Sequence, residues 1–347
     1  MTETPCNIQR CKACKLFLAC GSCNKDLCML KHCDGFCGKC NFVCHRHSLL
    51  PTFESIIGNP LELPVLDPIE PMKLSISYLP TFKTRPVLEL LKEKVTTGSF
   101  GMDEIFSHLT RRLLCTDLHK RCRMENNVNI ILHFYIKDPV LEGFWQSYLA
   151  KEIMFDLQKL NIFRIITPNF SNYFDTPKYG HFVNFKRTLM VGKTLQELGK
   201  KIILDISAPS DSMCAHICNY LARNPQIRCI AFNCQTAKSY KRMVFVHRRL
   251  SMFDQACDKD VEFIIQGAER PETKRILEGL YKPRKIYFMN SIAYFLASCH
   301  RTINRDFVED DIGELMIRNL ESLEKSYGKI TKEDYQNKLQ RLSKSPS

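Results

Sequence analysis

The chain of 347 residues lacks any apolar run approaching the ~20 residues that a membrane-crossing helix needs. Its longest ones, such as NIILHFYI and KIILDI, are the length of strands. The opening residues, MTETPCNIQRCK, lack the continuous apolar core of a secretory signal. The expectation is a cytoplasmic protein with no membrane partner, in a compartment where thiols stay reduced and disulfides are rare. Phosphate-cradling glycines are missing too. HFYIKDPVLEG, at the first strand-like run, contains neither GxGxxG nor GxxxxGK[ST], so the usual nucleotide-binding signal is absent. Acidic side chains are outnumbered, with 50 Lys and Arg against 37 Asp and Glu and a net charge of +13. That balance favours acidic partners, nucleic acid first among them. From Arg301 onward nine basic residues meet nine acidic ones, so the surplus lies earlier in the chain.

Cysteine is what the chain has in excess, and it is concentrated at one end. Residues 1–47 hold ten of the eighteen. So short a segment, with few large apolar side chains, does not bury ten thiols without a cross-link, and a metal is the expected one. Cys11-x2-Cys14 is followed by Cys20-x2-Cys23, and Cys37-x2-Cys40 is flanked by Cys33 and Cys44. The turn inside a C-x2-C pair aims both thiolates at one point, and two such pairs complete a tetrahedral zinc site. Cys28, His45 and His47 are further candidate ligands. The alternative cofactor is a [4Fe-4S] cluster. Cys33-x3-Cys37-x2-Cys40 resembles the three-cysteine motif of radical S-adenosylmethionine enzymes, although Lys39 stands where that motif carries an aromatic residue.

Behind this module, residues 48–84 read as a linker, with five prolines between Pro51 and Pro71. Residues 85–124 read as helical, with apolar residues three and four apart. From about 128 the pattern alternates. VNIILHFYI, FRIITP, KIILDI, IRCIAFN, VEFIIQ and KIYFMN read as strands, each separated from the next by an amphipathic helical stretch. Ser210 is the expected N-cap of one helix, and Gly199 the expected end of another. Six apolar strands alternating with helices predict an α/β fold with a parallel sheet, a (β/α) barrel first and an open doubly wound sheet second. The barrel domain is expected to span 85–300, followed by a charged helix and tail over 301–347.

In such folds function gathers at the C-terminal ends of the strands. Asp205 closes an apolar strand, where desolvation raises a carboxyl pKa, and is the first candidate for a catalytic base or nucleophile. Asn169, Asp175 and Gln266 are the other catalytic candidates. Ser207, Asn233, Gln235 and Asn290 are candidates for substrate binding, since amides grouped around one carboxylate suit a planar, amide-like ligand such as a nucleobase. His133, flanked by Leu132 and Phe134, reads as a core histidine. Lys241, Arg242, Arg248 and Arg249, and earlier Arg111, Arg112, Lys120, Arg121 and Arg123, are candidate phosphate contacts.

His133–Tyr135 with Trp145, then Thr167–Ser171, and Gly199 before Ile202–Ile206 resemble a bacterial and phage family catalogued as a domain of unknown function. The likeness covers roughly 128–290, implies a barrel-like fold and supplies no activity; Asn169 stands where the family carries aspartate. Phe263–Gly267 is similar to a strand end of tRNA-guanine transglycosylase barrels, which also carry cysteine-bound zinc. The expectation is therefore a zinc-binding protein whose barrel acts on nucleic acid, by base modification or cleavage in a phage or mobile-element setting. The alternatives are a non-catalytic adaptor binding nucleic acid or protein, and an iron–sulfur enzyme.

Overall fold

The computed structural model describes residues 56–327 apart from 77, 83–95, 108, 123–126, 171–177, 235–239, 268–273, 275–276, 280, 282, 305 and 310–311. The cysteine-rich stretch 1–47, with its eleven candidate ligands, lies outside the described residues. Eight parallel strands form a closed barrel. They are β1 (Tyr78–Phe82), β2 (Thr97–Gly101), β3 (Asn129–His133), β4 (Arg164–Ile166), β5 (Ile202–Asp205), β6 (Cys229–Asn233), β7 (Glu262–Gln266) and β8 (Ile286–Asn290). Each pairs with the next in sequence, and β8 closes on β1.

The helices follow in the same order: α1 (Leu118–Cys122), α2 (Asp138–Leu149), α3 (Met154–Lys159), α4 (Lys178–Glu197), α5 (Asp211–Arg223), α6 (Tyr240–Ala256), α7 (Ile292–Ser298) and α8 (Ile312–Tyr327). The Ser210 hydroxyl accepts from Met213 N at 3.3 Å, making it the N-cap of α5. Gly199, at a φ of +75°, supplies the left-handed residue that ends α4. No helix among the described residues is long and apolar enough to cross a membrane.

All six strands expected from the apolar runs are present, as β3 to β8. Two more were hidden. β1 lies inside the stretch read as linker, so the barrel begins before residue 85. Its sequence YLPTF contains Pro80, which lacks a backbone donor and ordinarily argues against a strand flanked on both sides. β2, TGSFG, lies inside the stretch read as helical. Residues 85–95 of that stretch lie outside the described residues; from Thr97 it forms β2, a 3-10 turn at Met102–Glu104, a hairpin of Phe106–Ser107 with Arg112–Leu113, and only then the short helix α1. Local spacing of three and four was outweighed by pairing with β1 and β3.

Register separates the two faces of the barrel wall. Tyr135, just past β3, and Asp205 of β5 meet side chain to side chain although β4 runs between those strands, so both point inward. Asp205 pairs with Ala231, Ala231 with Ile264, and Asn233 with Gln266, which puts all of these on the inner face. The alternate residues face the helices. Phe134 meets Phe144 of α2 at 4.6 Å between ring centroids, and Phe232 meets Phe253 of α6 at 5.8 Å. Each such ring contributes about 1.5–3 kcal/mol by burial, and truncating one to alanine costs about 3–5 kcal/mol.

The N-terminal end of the barrel is closed by residues 70–74, which cross it just ahead of β1. Arg164 of β4 donates to the carbonyls of Glu70 and Pro71. Glu262 of β7 accepts from the backbone amides of Met72 and Lys73. The Tyr287 hydroxyl accepts from Leu74 N at 3.0 Å and donates to Glu262 at 3.0 Å. Three inward polar groups are thereby bound to one strap of backbone, a structural use of charge at this end of the barrel.

Candidate functional site at the C-terminal mouth

Asp205 is 4% exposed at the end of β5. Its Oδ2 accepts the Tyr135 hydroxyl at 2.8 Å and the Ser207 hydroxyl at 3.1 Å, and Oδ1 accepts Ser207 N at 3.1 Å. Its own amide donates to Thr167 Oγ1 at 2.9 Å, which fastens the end of β5 to β4. Burial pushes the Asp205 carboxyl up to about 7, against the pull of the donors from Tyr135 and Ser207, which favour the ionised form. Tyr135 is raised well above the usual phenol range, first by burial and then by the adjacent carboxylate, so it remains a donor. The Ser207 hydroxyl in turn accepts Asn233 N at 3.0 Å. A chain of polar groups thus runs from β6 through Ser207 to Asp205 and on to Tyr135. Near neutrality its central carboxyl is poised between acid and base, the condition for proton transfer in either direction.

Around it the inner face stays polar. His133 is buried, stacks on Tyr135 with centroids 5.5 Å apart and planes 29° apart, and accepts Tyr135 N on Nδ1 at 3.3 Å. It was read as a core histidine; register places it on the inner face, paired with Gly101. A Cβ at Gly101 would stand 2.2 Å from Asp103 Oδ1, so the missing side chain is what lets the Asp103 carboxylate fold back over the end of β2. On the far wall, Asn233 and Gln266 are register partners, and Gln266 is 2% exposed.

The structure places Asp205, Asn233 and Gln266 at the ends of neighbouring strands β5, β6 and β7, with Ser207 just past β5. Asn169 lies half-buried just past β4. Asp175 and Gln235 are outside the described residues, as are the side chains of Lys241 and Arg242. Asn290 faces the helices, where its Oδ1 accepts Ala293 N at 3.0 Å at the start of α7. Arg249 is 1% exposed, pairs with Asp211 at 2.5 Å and donates to Pro209 O at 3.1 Å, which makes it scaffold. Arg248 is exposed and pairs with Asp211 at 3.0 Å, and Arg112 pairs with Asp156 at 2.9 Å. Tyr135 and Asp103 were not singled out from the sequence. Tyr135 lies two residues past His133 on the same inward parity; Asp103 directly follows a strand that the helical reading concealed. Among the described residues no group of three or more His, Cys, Asp or Glu side chains is placed to hold a metal ion.

Closed eight-stranded architecture and a buried acid–base group at the C-terminal mouth define the protein as a (β/α) barrel with a built interior site. Residues 104–256 match the family model described as Domain of unknown function (DUF4417), which bears out the resemblance carried by His133–Tyr135, Trp145 and Thr167–Ser171. The matched segment contains Tyr135, Asp205, Ser207 and Asn233 and ends before β7. No curated protein matches the chain.

Proposed function

We propose that this protein is an enzyme that acts on nucleic acid, in which the barrel mouth carries out proton transfer through Asp205. The observation that carries the reading is the buried Asp205 carboxyl, held by Tyr135 and Ser207 at the mouth and balanced near pH 7. A group of that kind accepts a proton from a substrate and returns it without leaving its site, as base modification or strand cleavage requires. Support for a nucleic-acid substrate is the net charge of +13. Support for zinc is the paired cysteine spacing: one ion held by Cys11, Cys14, Cys20 and Cys23, a second by Cys33, Cys37, Cys40 and Cys44. Bound there, zinc supplies folding energy to the N-terminal segment rather than chemistry to the mouth.

The test is to incubate the full chain with single- and double-stranded oligonucleotides, measure binding across a salt series, and analyse products by mass spectrometry. The expected result is salt-dependent binding and a modified or cleaved product that disappears in Asp205→Asn while binding persists. Binding without any product in the wild type favours the adaptor. Absence of salt-dependent binding overturns the nucleic-acid reading.

A further inference from the structure

Gln266 is an unusual side chain to find inside a barrel. It is 2% exposed, it ends β7, and its Oε1 is fully buried with no hydrogen-bond partner among the described residues. Its backbone carbonyl is occupied, accepting Cys234 N at 2.6 Å, so the strand end is fixed and the side chain alone is uncommitted. Register gives its direction. Gln266 pairs with Asn233 and lies two residues beyond Ile264, itself on the same face as Ala231 and Asp205, so the carboxamide points into the mouth. Its other register neighbour, Met289, offers only a thioether. A buried acceptor left unmade is costly and is ordinarily removed or satisfied. At the opposite end of the barrel the Glu262 carboxylate and the Tyr287 hydroxyl are both engaged by the strap.

A carboxamide displays an acceptor and a donor side by side. Its complement is an edge with a donor next to an acceptor: the N–H and C=O of a lactam or imide ring, or the amino group and ring nitrogen of adenine or cytosine. Strands β3 and β7 stand opposite one another in a barrel of eight, and β3 contributes the stacked rings of His133 and Tyr135. The mouth thus offers an aromatic wall, an amide wall facing it, and a carboxyl on β5 midway between. Resting on the reading of this mouth as the reactive site, we propose that Gln266 Oε1 accepts an N–H from the edge of a planar heterocyclic ligand. Uracil- and hypoxanthine-type rings present that N–H within a lactam, and adenine- and cytosine-type rings present it on an exocyclic amine.

The full-length protein is titrated calorimetrically with uridine, inosine, adenosine, cytidine, 3-methyluridine and 1-methylinosine, using wild type and the near-isosteric Gln266→Met. Expected is binding of uridine or inosine, weakened roughly tenfold to a hundredfold by N-methylation, the range for one buried hydrogen bond. Gln266→Met loses the same factor for the unmethylated ligand and nothing further for the methylated one. The variant melts at or above the wild-type temperature, because an unmet polar group has been removed; a structural role would lower it. Unchanged affinity in Gln266→Met, or no binding of any of the six, overturns the proposal; adenosine or cytidine binding that Gln266→Met weakens supports it. The two readings fail separately. If Asp205→Asn abolishes product while Gln266→Met binds normally, only the Gln266 contact is lost; if Gln266 governs binding while Asp205→Asn remains fully active, only the proton-transfer reading is lost.

Discussion

Replacing Asp205 with asparagine is expected to stabilise the fold at alkaline pH and not at acid pH. In the folded chain burial raises this carboxyl from 3.8 to about 7. Between those values the unfolded chain releases a proton that the folded chain retains, so the unfolded state binds fewer protons and stability falls as pH rises from about 4 to about 7. At about 1.4 kcal/mol per pH unit, the penalty reaches roughly 4 kcal/mol above pH 7 and vanishes below about pH 4. Asparagine does not titrate, and it keeps an oxygen for the Tyr135 and Ser207 donors. Urea unfolding of both proteins from about pH 4 to pH 8 isolates the group, because every other titration is common to both. The stability of Asp205→Asn relative to wild type should grow by roughly 4 kcal/mol across that range, with the denaturant slope unchanged. A difference constant to within about 1 kcal/mol would show that Asp205 titrates as an ordinary carboxyl, and would remove the observation on which the proposed chemistry rests.

Three further outcomes are expected. Tyr135→Phe removes a donor to the ionised carboxylate, worth about 1.5–3 kcal/mol, so the Asp205 titration should move upward by roughly one to two pH units, read from its carboxyl infrared band. Glu262→Gln weakens the bonds to the Met72 and Lys73 amides; unfolding stability should fall by about 1–3 kcal/mol while the Asp205 titration stays where it was. Protein purified without oxygen should be colourless and contain stoichiometric zinc; a brown preparation with visible iron–sulfur absorbance would replace zinc with a cluster and return the radical motif around Cys33, Cys37 and Cys40 to consideration.

Most of the barrel was legible because its strands are buried on both faces and carry uninterrupted apolar runs. Residues 202–205, IILD, announce both a strand and, in their last letter, a carboxyl with nowhere to be solvated. β1 and β2 were not legible for the converse reason. YLPTF and TGSFG contain proline, glycine and serine, and hold strand geometry through partners far away in sequence. Site residues divide in the same way. Asp205 and Gln266 are marked by position at strand ends, whereas Tyr135 becomes significant only through a register that skips β4. Arg248 and Arg249 are adjacent and chemically identical, yet one is exposed and the other buried against Pro209, a distinction set by the helix's packing.

The strap across the N-terminal end has a consequence for traffic. With Arg164, Glu262 and Tyr287 bonded to residues 70–74, the N-terminal end of the barrel is held by the strap. If the proposed chemistry takes place at Asp205, substrate and product share the C-terminal mouth, and product inhibition should be competitive. On the same reading, a ligand seated over Tyr135 and Ser207, the two hydroxyls that hold Asp205, should slow proton exchange between that carboxyl and bulk water.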